Sequence, residues 1–184
     1  SAAFYGDIKL LCDTKYSIPS QCLQSKHLMN VKKPFCANLL MKINVKLGGT
    51  NWHLGKQMSF FTEKPTIVFG ADVTHPGVGE MGKPSIAALV SNVDMKVSKY
   101  TSVVSVQESR MELIADLKNM VKAQLRSFYG ATQRKPERIL FYRDGVSEGQ
   151  FAQLLKTEVD AIKTACNEIE AGYSPSLTYV VIQK

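Results

Sequence analysis

Two aspartates stand at matching places in two different apolar strands, and their chemistry depends on being neighbours. Asp72 lies in Thr66-Ile-Val-Phe-Gly-Ala-Asp-Val-Thr-His-Pro76, and Asp144 in Arg138-Ile-Leu-Phe-Tyr-Arg-Asp-Gly-Val-Ser147. Each follows a short β-rich run and precedes turn or cap residues. If the two strands are adjacent in one sheet, the carboxylates meet at its edge. Like charges at that separation repel unless a cation neutralises them, and divalent ions do so with hard oxygen ligands. The pair therefore points to a metal-dependent nuclease. Taken singly, either Asp is equally a turn former, as Asp often is after a strand.

The elements that must position them are readable from periodicity. Strands are predicted at Thr66–Val73, Ser85–Asp94, Tyr100–Gln107, Arg138–Arg143 and Leu177–Ile182. Helices are predicted at Arg110–Phe128, with Leu113, Ile114, Leu117, Val121, Leu125 and Phe128 on one stripe, and from Ser147 to about Gly172. The buried stripe of the second is Phe151, Leu154, Leu155, Ile162, Cys166 and Ile169. The order from residue 66 is β-β-β-α-β-α-β, three antiparallel strands leading into right-handed parallel crossovers. This is the order of an α/β, ribonuclease H-like fold, in which functional groups collect at the carboxyl ends of strands. Before it, Cys36–Leu47 reads as a short helix with Leu39, Ile43 and Leu47 on one face. Gly48-Gly49 supplies its left-handed end. Residues 51–65 read as an irregular linker.

Composition narrows the class. The chain has 184 residues, is 45% hydrophobic and carries a net charge of +7. Residues 1–56 hold eight lysines against Asp7 and Asp13, so nearly all the excess charge lies in the first third. That asymmetry suits an anionic partner, or a solvated lysine surface. No run approaches the length of a membrane span, so no membrane partner is expected. Cys12, Cys22, Cys36 and Cys166 form no C-x-x-C pair, which argues against zinc and for a reducing, intracellular setting.

Longer motifs are more specific. Gly70-Ala-Asp-Val-Thr-His-Pro76, Lys83-Pro-Ser-Ile-Ala-Ala88 and Phe141-Tyr-Arg-Asp-Gly-Val-Ser-Glu-Gly-Gln-Phe151 resemble the PIWI domain of eukaryotic-type Argonaute proteins. Lys42-Ile-Asn-Val-Lys-Leu-Gly-Gly49 is similar to the end of the MID domain that precedes it in that family. The resemblance implies a partial, Rossmann-like MID domain over 1–50, a linker over 51–65 and a partial ribonuclease H-like PIWI domain over 66–184, with more sequence expected on either side. It implies small-RNA-guided binding and cleavage of target RNA in RNA silencing, with two Mg²⁺ or Mn²⁺ ions, in the cytoplasm and also in the nucleus.

The family's Asp-Glu-Asp-His catalytic set falls on Asp72, Glu112 and Asp144, with the histidine expected beyond Lys184. His75 is not that histidine. Whether this chain is itself an enzyme stays open, and weak or absent cleavage is expected of it alone. In that chemistry Asp72 would bridge the metals, Asp144 would complete one of them and Glu112 would orient a water. Glu112 has a second reading: Ser109-x-x-Glu112 ahead of an apolar helix is also a capping box.

The resemblance also places a pocket for the guide 5′-phosphate on Tyr5, Lys9, Gln21, Lys42 and Lys46. Lys42 and Lys46 are four apart on one helix face, so both ammonium groups can reach one phosphate. A surface that takes tryptophans of disordered silencing partners falls near Lys135, Ile169 and Tyr173, although Arg134 stands where an aromatic would complete it. Two other functions fit the residues: a guide-binding and partner-recruiting module without catalysis, and a ribonuclease H-like nuclease that needs no guide.

Overall fold

The computed structural model describes residues 4–29, 31–56, 58–80, 82–145 and 151–182, the side chains of 151–153 excepted. The chain falls into two compact units, Ser1–His53 and Leu54–Lys184. In the first, helix α1 spans Tyr5–Leu10 and continues into a wider π-helical turn, Leu11–Lys15. Helix α2 spans Lys33–Lys46. It starts earlier than the apolar stripe alone predicts because Pro34 sits in its first turn, where a missing N–H has no partner to lose. It ends where the glycine pair predicts: Gly48 takes φ +83°, the left-handed conformation that a side chain resists. Leu39 and Ile43 are partly buried, but Leu47 caps the helix and is 71% exposed, so the expected stripe keeps two of its three members.

The second unit is built on a five-stranded sheet. Its strands are β1 Thr66–Thr74, β2 Ser85–Asn92, β3 Tyr100–Gln107, β4 Arg138–Asp144 and β5 Ser176–Ile182, in the order β3-β2-β1-β4-β5. β1 pairs antiparallel with β2 and parallel with β4; β5 adds parallel to β4. Helices α4, Leu117–Thr132, and α5, Phe151–Ile169, carry the crossovers. A one-turn helix α3, Ser59–Thr62, interrupts the expected linker. Arg138 holds that turn to the start of β4, donating to the Phe60 carbonyl at 2.8 Å with its guanidinium 4.9 Å from the Phe60 ring centre.

Alternation decides which side of the sheet is core. Ile67, Phe69 and Ala71 of β1 and Ile139 and Phe141 of β4 point to the same side and are buried. There they meet Leu117, Val121, Leu125 and Phe128 of α4 and Ile162, Ala165 and Cys166 of α5. Each Val, Leu, Ile or Phe side chain among them contributes roughly 1.5–3 kcal/mol by leaving water. Burial pushes the Cys166 thiol up to about 11, so it stays protonated and inert. All four cysteines are unbridged.

The opposite, open side of the sheet carries Val68, Gly70 and Asp72 of β1 and Leu140, Tyr142 and Asp144 of β4, since residues two apart share a face. Gly70 suits the close approach of β2: a Cβ there would lie 3.3 Å from Val90 Cγ2, tighter than an ordinary contact.

Three helix expectations need correction. The helix predicted from Arg110 begins at Leu117 and runs on to Thr132. The intervening chain is held in an irregular path because the Gln107 amide donates to the Met111 and Leu113 carbonyls and its oxygen accepts from the Ala115 N–H. Arg110 itself takes φ +62°. The helix predicted from Ser147 has its start outside the described residues, and it ends at Ile169 rather than at Gly172. On its stripe, Leu155 is exposed, while Glu158 takes the buried position between Leu154 and Ile162. Phe151 was expected on the same stripe, but its side chain lies outside the described residues. Among the described residues no helix is long and apolar enough to cross a membrane.

Candidate functional site

The β1–β4 register sets the two aspartates side by side. Ala71 pairs with Arg143, so the next residue on each strand, Asp72 and Asp144, lies at the carboxyl end of adjacent parallel strands and on the open side of the sheet. Asp72 is exposed, and its Oδ1 accepts the Val73 N–H at 2.9 Å. Asp144 is half-buried. The turn after β4 passes against Asp72: a Cβ on Gly145 would stand 3.6 Å from Asp72 Oδ1, and Gly145 has φ +85°. The positive φ is what favours glycine in this turn, since the carboxylate itself would meet a Cβ only at ordinary contact distance.

Glu112 does not join the pair. Its Oε1 lies 2.8 Å from His75 Nε2, and His75 Nδ1 lies 2.8 Å from Ser85 Oγ. Ser85 Oγ also accepts the Arg110 N–H at 2.8 Å. With a neutral imidazole the chain of donors runs in one direction: Arg110 N–H to Ser85, the Ser85 hydroxyl to Nδ1, and Nε2–H to the carboxylate. Glu112 is thus committed to a side-chain partner in a loop, and the capping box with Ser109 is not formed. Among the described residues no group of three or more His, Cys, Asp or Glu side chains is arranged to hold a metal ion.

The donor chemistry of Asp72 and Asp144 still suits a divalent cation. Both offer hard carboxylate oxygens on adjacent strands, Asp72 is exposed to water while Asp144 Oδ1 is buried, and Mg²⁺ keeps several waters and needs only one or two carboxylates from a protein.

Behind the aspartates lies a buried polar cluster that sequence reasoning missed. Arg143 is fully buried on the core side of β4. Its Nε is 3.3 Å from Glu158 Oε1, its Nη1 donates to the Asp144 carbonyl, and its Nη2 donates to the Glu112 carbonyl at 2.5 Å. Glu158 Oε1 accepts the Ile114 N–H at 3.3 Å, and Oε2 accepts the Tyr179 hydroxyl at 2.5 Å. Burial and the bond to Glu158 push the Tyr179 hydroxyl far above its ordinary range. The readable signal was a charge at a core position: Arg143 follows Ile139 and Phe141 at the strand period, and Glu158 follows Leu154 at the helix period.

In the first unit the expected phosphate residues converge in part. Lys9 Nζ donates to the Ser20 carbonyl at 3.0 Å and to Ser20 Oγ at 2.8 Å. Lys46 Nζ donates to the same carbonyl at 2.6 Å and to Gln21 Oε1 at 2.8 Å. Lys42 lies one turn before Lys46 on α2, and Tyr5 one turn before Lys9 on α1, both exposed. Two ammonium groups on one carbonyl oxygen leave positive charge in excess, a setting that attracts an anion. Ser20, the meeting point, carried no sequence signal of its own.

Lys135, Ile169 and Tyr173 are also brought together. They line a cavity of about 310 Å³ with Leu125, Tyr129 and Pro136. Arg134 is not part of that lining. Tyr173 is fixed by donating to the Pro136 carbonyl at 2.7 Å, and Lys135 pairs with Glu170 at 2.5 Å.

Comparison with known proteins identifies the family and the fold. A Piwi domain family matches residues 1–184. Protein argonaute 1A of Oryza sativa subsp. japonica is 46% identical over the whole of this chain, which covers 19% of that protein. Protein argonaute 10 of Arabidopsis thaliana is 45% identical, again over the whole chain and 20% of its own length. The chain thus spans about one fifth of the length of the curated relatives it matches. Among solved structures, the MID-PIWI domains of N. crassa QDE-2 superpose with a TM-score of 0.84 at 30% identity, covering 98% of this chain and 52% of that one. Kluyveromyces polysporus Argonaute with a guide RNA superposes with a TM-score of 0.89 at 27% identity, covering 100% and 23%. The sheet order is accordingly that of a ribonuclease H-like PIWI fold.

Proposed function

The chain belongs to the Piwi-domain family of Argonaute proteins, and on that premise we propose that it holds the 5′-phosphate of a guide RNA and supplies part of a nuclease centre that cuts RNA paired to the guide. The observation that carries this reading is the meeting of Lys9 and Lys46 on the Ser20 carbonyl beside Gln21. A phosphate would give both ammonium groups a partner of opposite charge, with Gln21 as a further donor and Lys42 within reach from the same helix face. Tyr5, exposed one turn from Lys9, would stack on the first base.

In the second unit Asp72 and Asp144 would hold Mg²⁺ or Mn²⁺. When bound, such ions activate a water and stabilise the leaving oxygen at phosphorus. Glu112 would orient that water only after leaving its bond to His75. The Lys135, Ile169 and Tyr173 cavity would take an aromatic side chain of a partner protein. These roles suit a cytoplasmic or nuclear RNA-silencing protein.

The test is binding of one RNA sequence with a 5′-phosphate and with a 5′-hydroxyl. The phosphorylated form should bind about tenfold more tightly or better, and the preference should vanish in Lys9→Ala and Lys46→Ala. Equal affinity for the two ends would remove the guide-pocket reading and favour a nuclease that needs no guide. A guide-binding module without cleavage is the second reading, and the engagement of Glu112 by His75 favours it. Cleavage that depends on Asp72 and Asp144 would exclude it.

A further inference from the structure

The cluster behind the aspartates takes no part in the proposed chemistry, yet it touches both carboxylate-bearing segments. Arg143 donates to the backbone carbonyl of Asp144 on one side and of Glu112 on the other. Its guanidinium is planar and rigid, so fixing the Nε edge fixes both Nη contacts. Glu158 does this from α5, and is in turn held by Tyr179 of β5 and by the Ile114 N–H of the Glu112 loop. Arg143 and Glu158 are both fully buried, where a guanidinium–carboxylate pair gives up hydration that a pair of apolar side chains would not need. Stability alone is therefore a weak reason for the pair.

We propose that Glu158, acting through Arg143, is a positioning residue that holds the Asp144 end of β4 and the Glu112 loop in one fixed relation, so that the open side of the sheet presents a preformed divalent-cation site. The inference rests on the reading of Asp72 and Asp144 as metal ligands. Partners behind metal ligands commonly govern affinity by orienting them. Tyr179 is the outer support, since its hydroxyl fixes the second oxygen of Glu158.

The test is titration of the full chain with Mn²⁺ alone, followed by electron paramagnetic resonance, beside a thermal melt of each variant. Glu158→Gln should weaken Mn²⁺ binding about tenfold. Tyr179→Phe should weaken it less. The decisive variant is the double replacement Arg143→Met with Glu158→Leu, which removes the pair without leaving a lone buried charge and should melt close to the wild type. The inference expects this variant to bind Mn²⁺ about tenfold more weakly despite its recovered stability. Recovery of affinity along with stability would show a merely structural pair and overturn the proposal, as would wild-type affinity in Glu158→Gln. Asp72→Ala separates the two levels. If it leaves Mn²⁺ binding unchanged, the metal-site reading itself falls and this inference with it. If it abolishes binding while the double variant binds like the wild type, only the positioning role is lost.

Discussion

Lys9 and Lys46 reach the Ser20 carbonyl on long side chains from two helices, whereas Asp72 and Asp144 are set side by side by the register of β1 against β4. The first arrangement is made by side chains that lose rotamer freedom when they bind, on helices with no buried residue. The second is made by backbone hydrogen bonds, with a fully buried core on the other side of the same strands. A cation pocket of this kind tolerates displacement, because an ammonium group is a point charge with several usable geometries. A carboxylate pair built on register does not, since a slip of one residue turns every side chain to the other face.

The contrast predicts unequal sensitivity. The largest effect belongs to the carboxylates. In a guide-loaded full-length relative carrying this segment, Asp72→Ala or Asp144→Ala should lower target cleavage by about three orders of magnitude, the several kcal/mol that a metal supplies to the transition state. Retained cleavage in both would break the comparison at its stronger side.

A smaller effect is expected in the pocket. Each of Lys9→Ala and Lys46→Ala should weaken binding of 5′-phosphorylated RNA by about tenfold and reduce the salt slope by about 0.7. Affinity that does not change between low and high salt would count against both lysines.

Next comes the turn beside Asp72. Gly145→Ala forces a side chain into φ +85° and should cost about 1 kcal/mol, read as a lower urea midpoint with an unchanged slope.

The smallest effect lies on the surface between α4 and α5. Glu168 accepts hydrogen bonds from Lys122 at 2.7 Å and Lys118 at 2.9 Å, which hold its carboxyl down to about 2. A carboxyl lowered in the folded state stabilises it above the ordinary value near 4.5, and that contribution is lost as pH falls from there towards 2. Glu168→Gln should therefore lower the melting temperature slightly at pH 7 and not at pH 2.

What was legible in the sequence follows the same division. The five strands were readable because alternating burial writes itself into each of them, and β3 falls where expected, Tyr100–Gln107. The pairing of Asp72 with Asp144 was legible only on the condition that their strands are neighbours, and the β1–β4 register supplies that condition. The Glu112 loop was not legible, because Ser109-x-x-Glu112 imitates a helix start while the real anchors, His75, Ser85 and Gln107, are distant in sequence. Leu155 was misplaced for a local reason: it neighbours Leu154 but lies about 100° further round the helix. Arg143 and Glu158 were readable only as charges breaking an apolar pattern, a signal that shows burial without showing a partner. In the first unit, the resemblance supplied Lys9, Gln21 and Lys46, but nothing local marked the Ser20 carbonyl as the point where the two lysines meet.

The central claim is that the lysine pair receives a terminal phosphate. The most direct measurement is the ³¹P resonance of a 5′-phosphorylated RNA oligonucleotide as the chain is added. The account predicts that the terminal phosphate resonance shifts or broadens selectively, ahead of the backbone phosphates, and that Lys9→Ala combined with Lys46→Ala abolishes the selectivity. A terminal resonance that moves no more than the backbone while the RNA binds would contradict it.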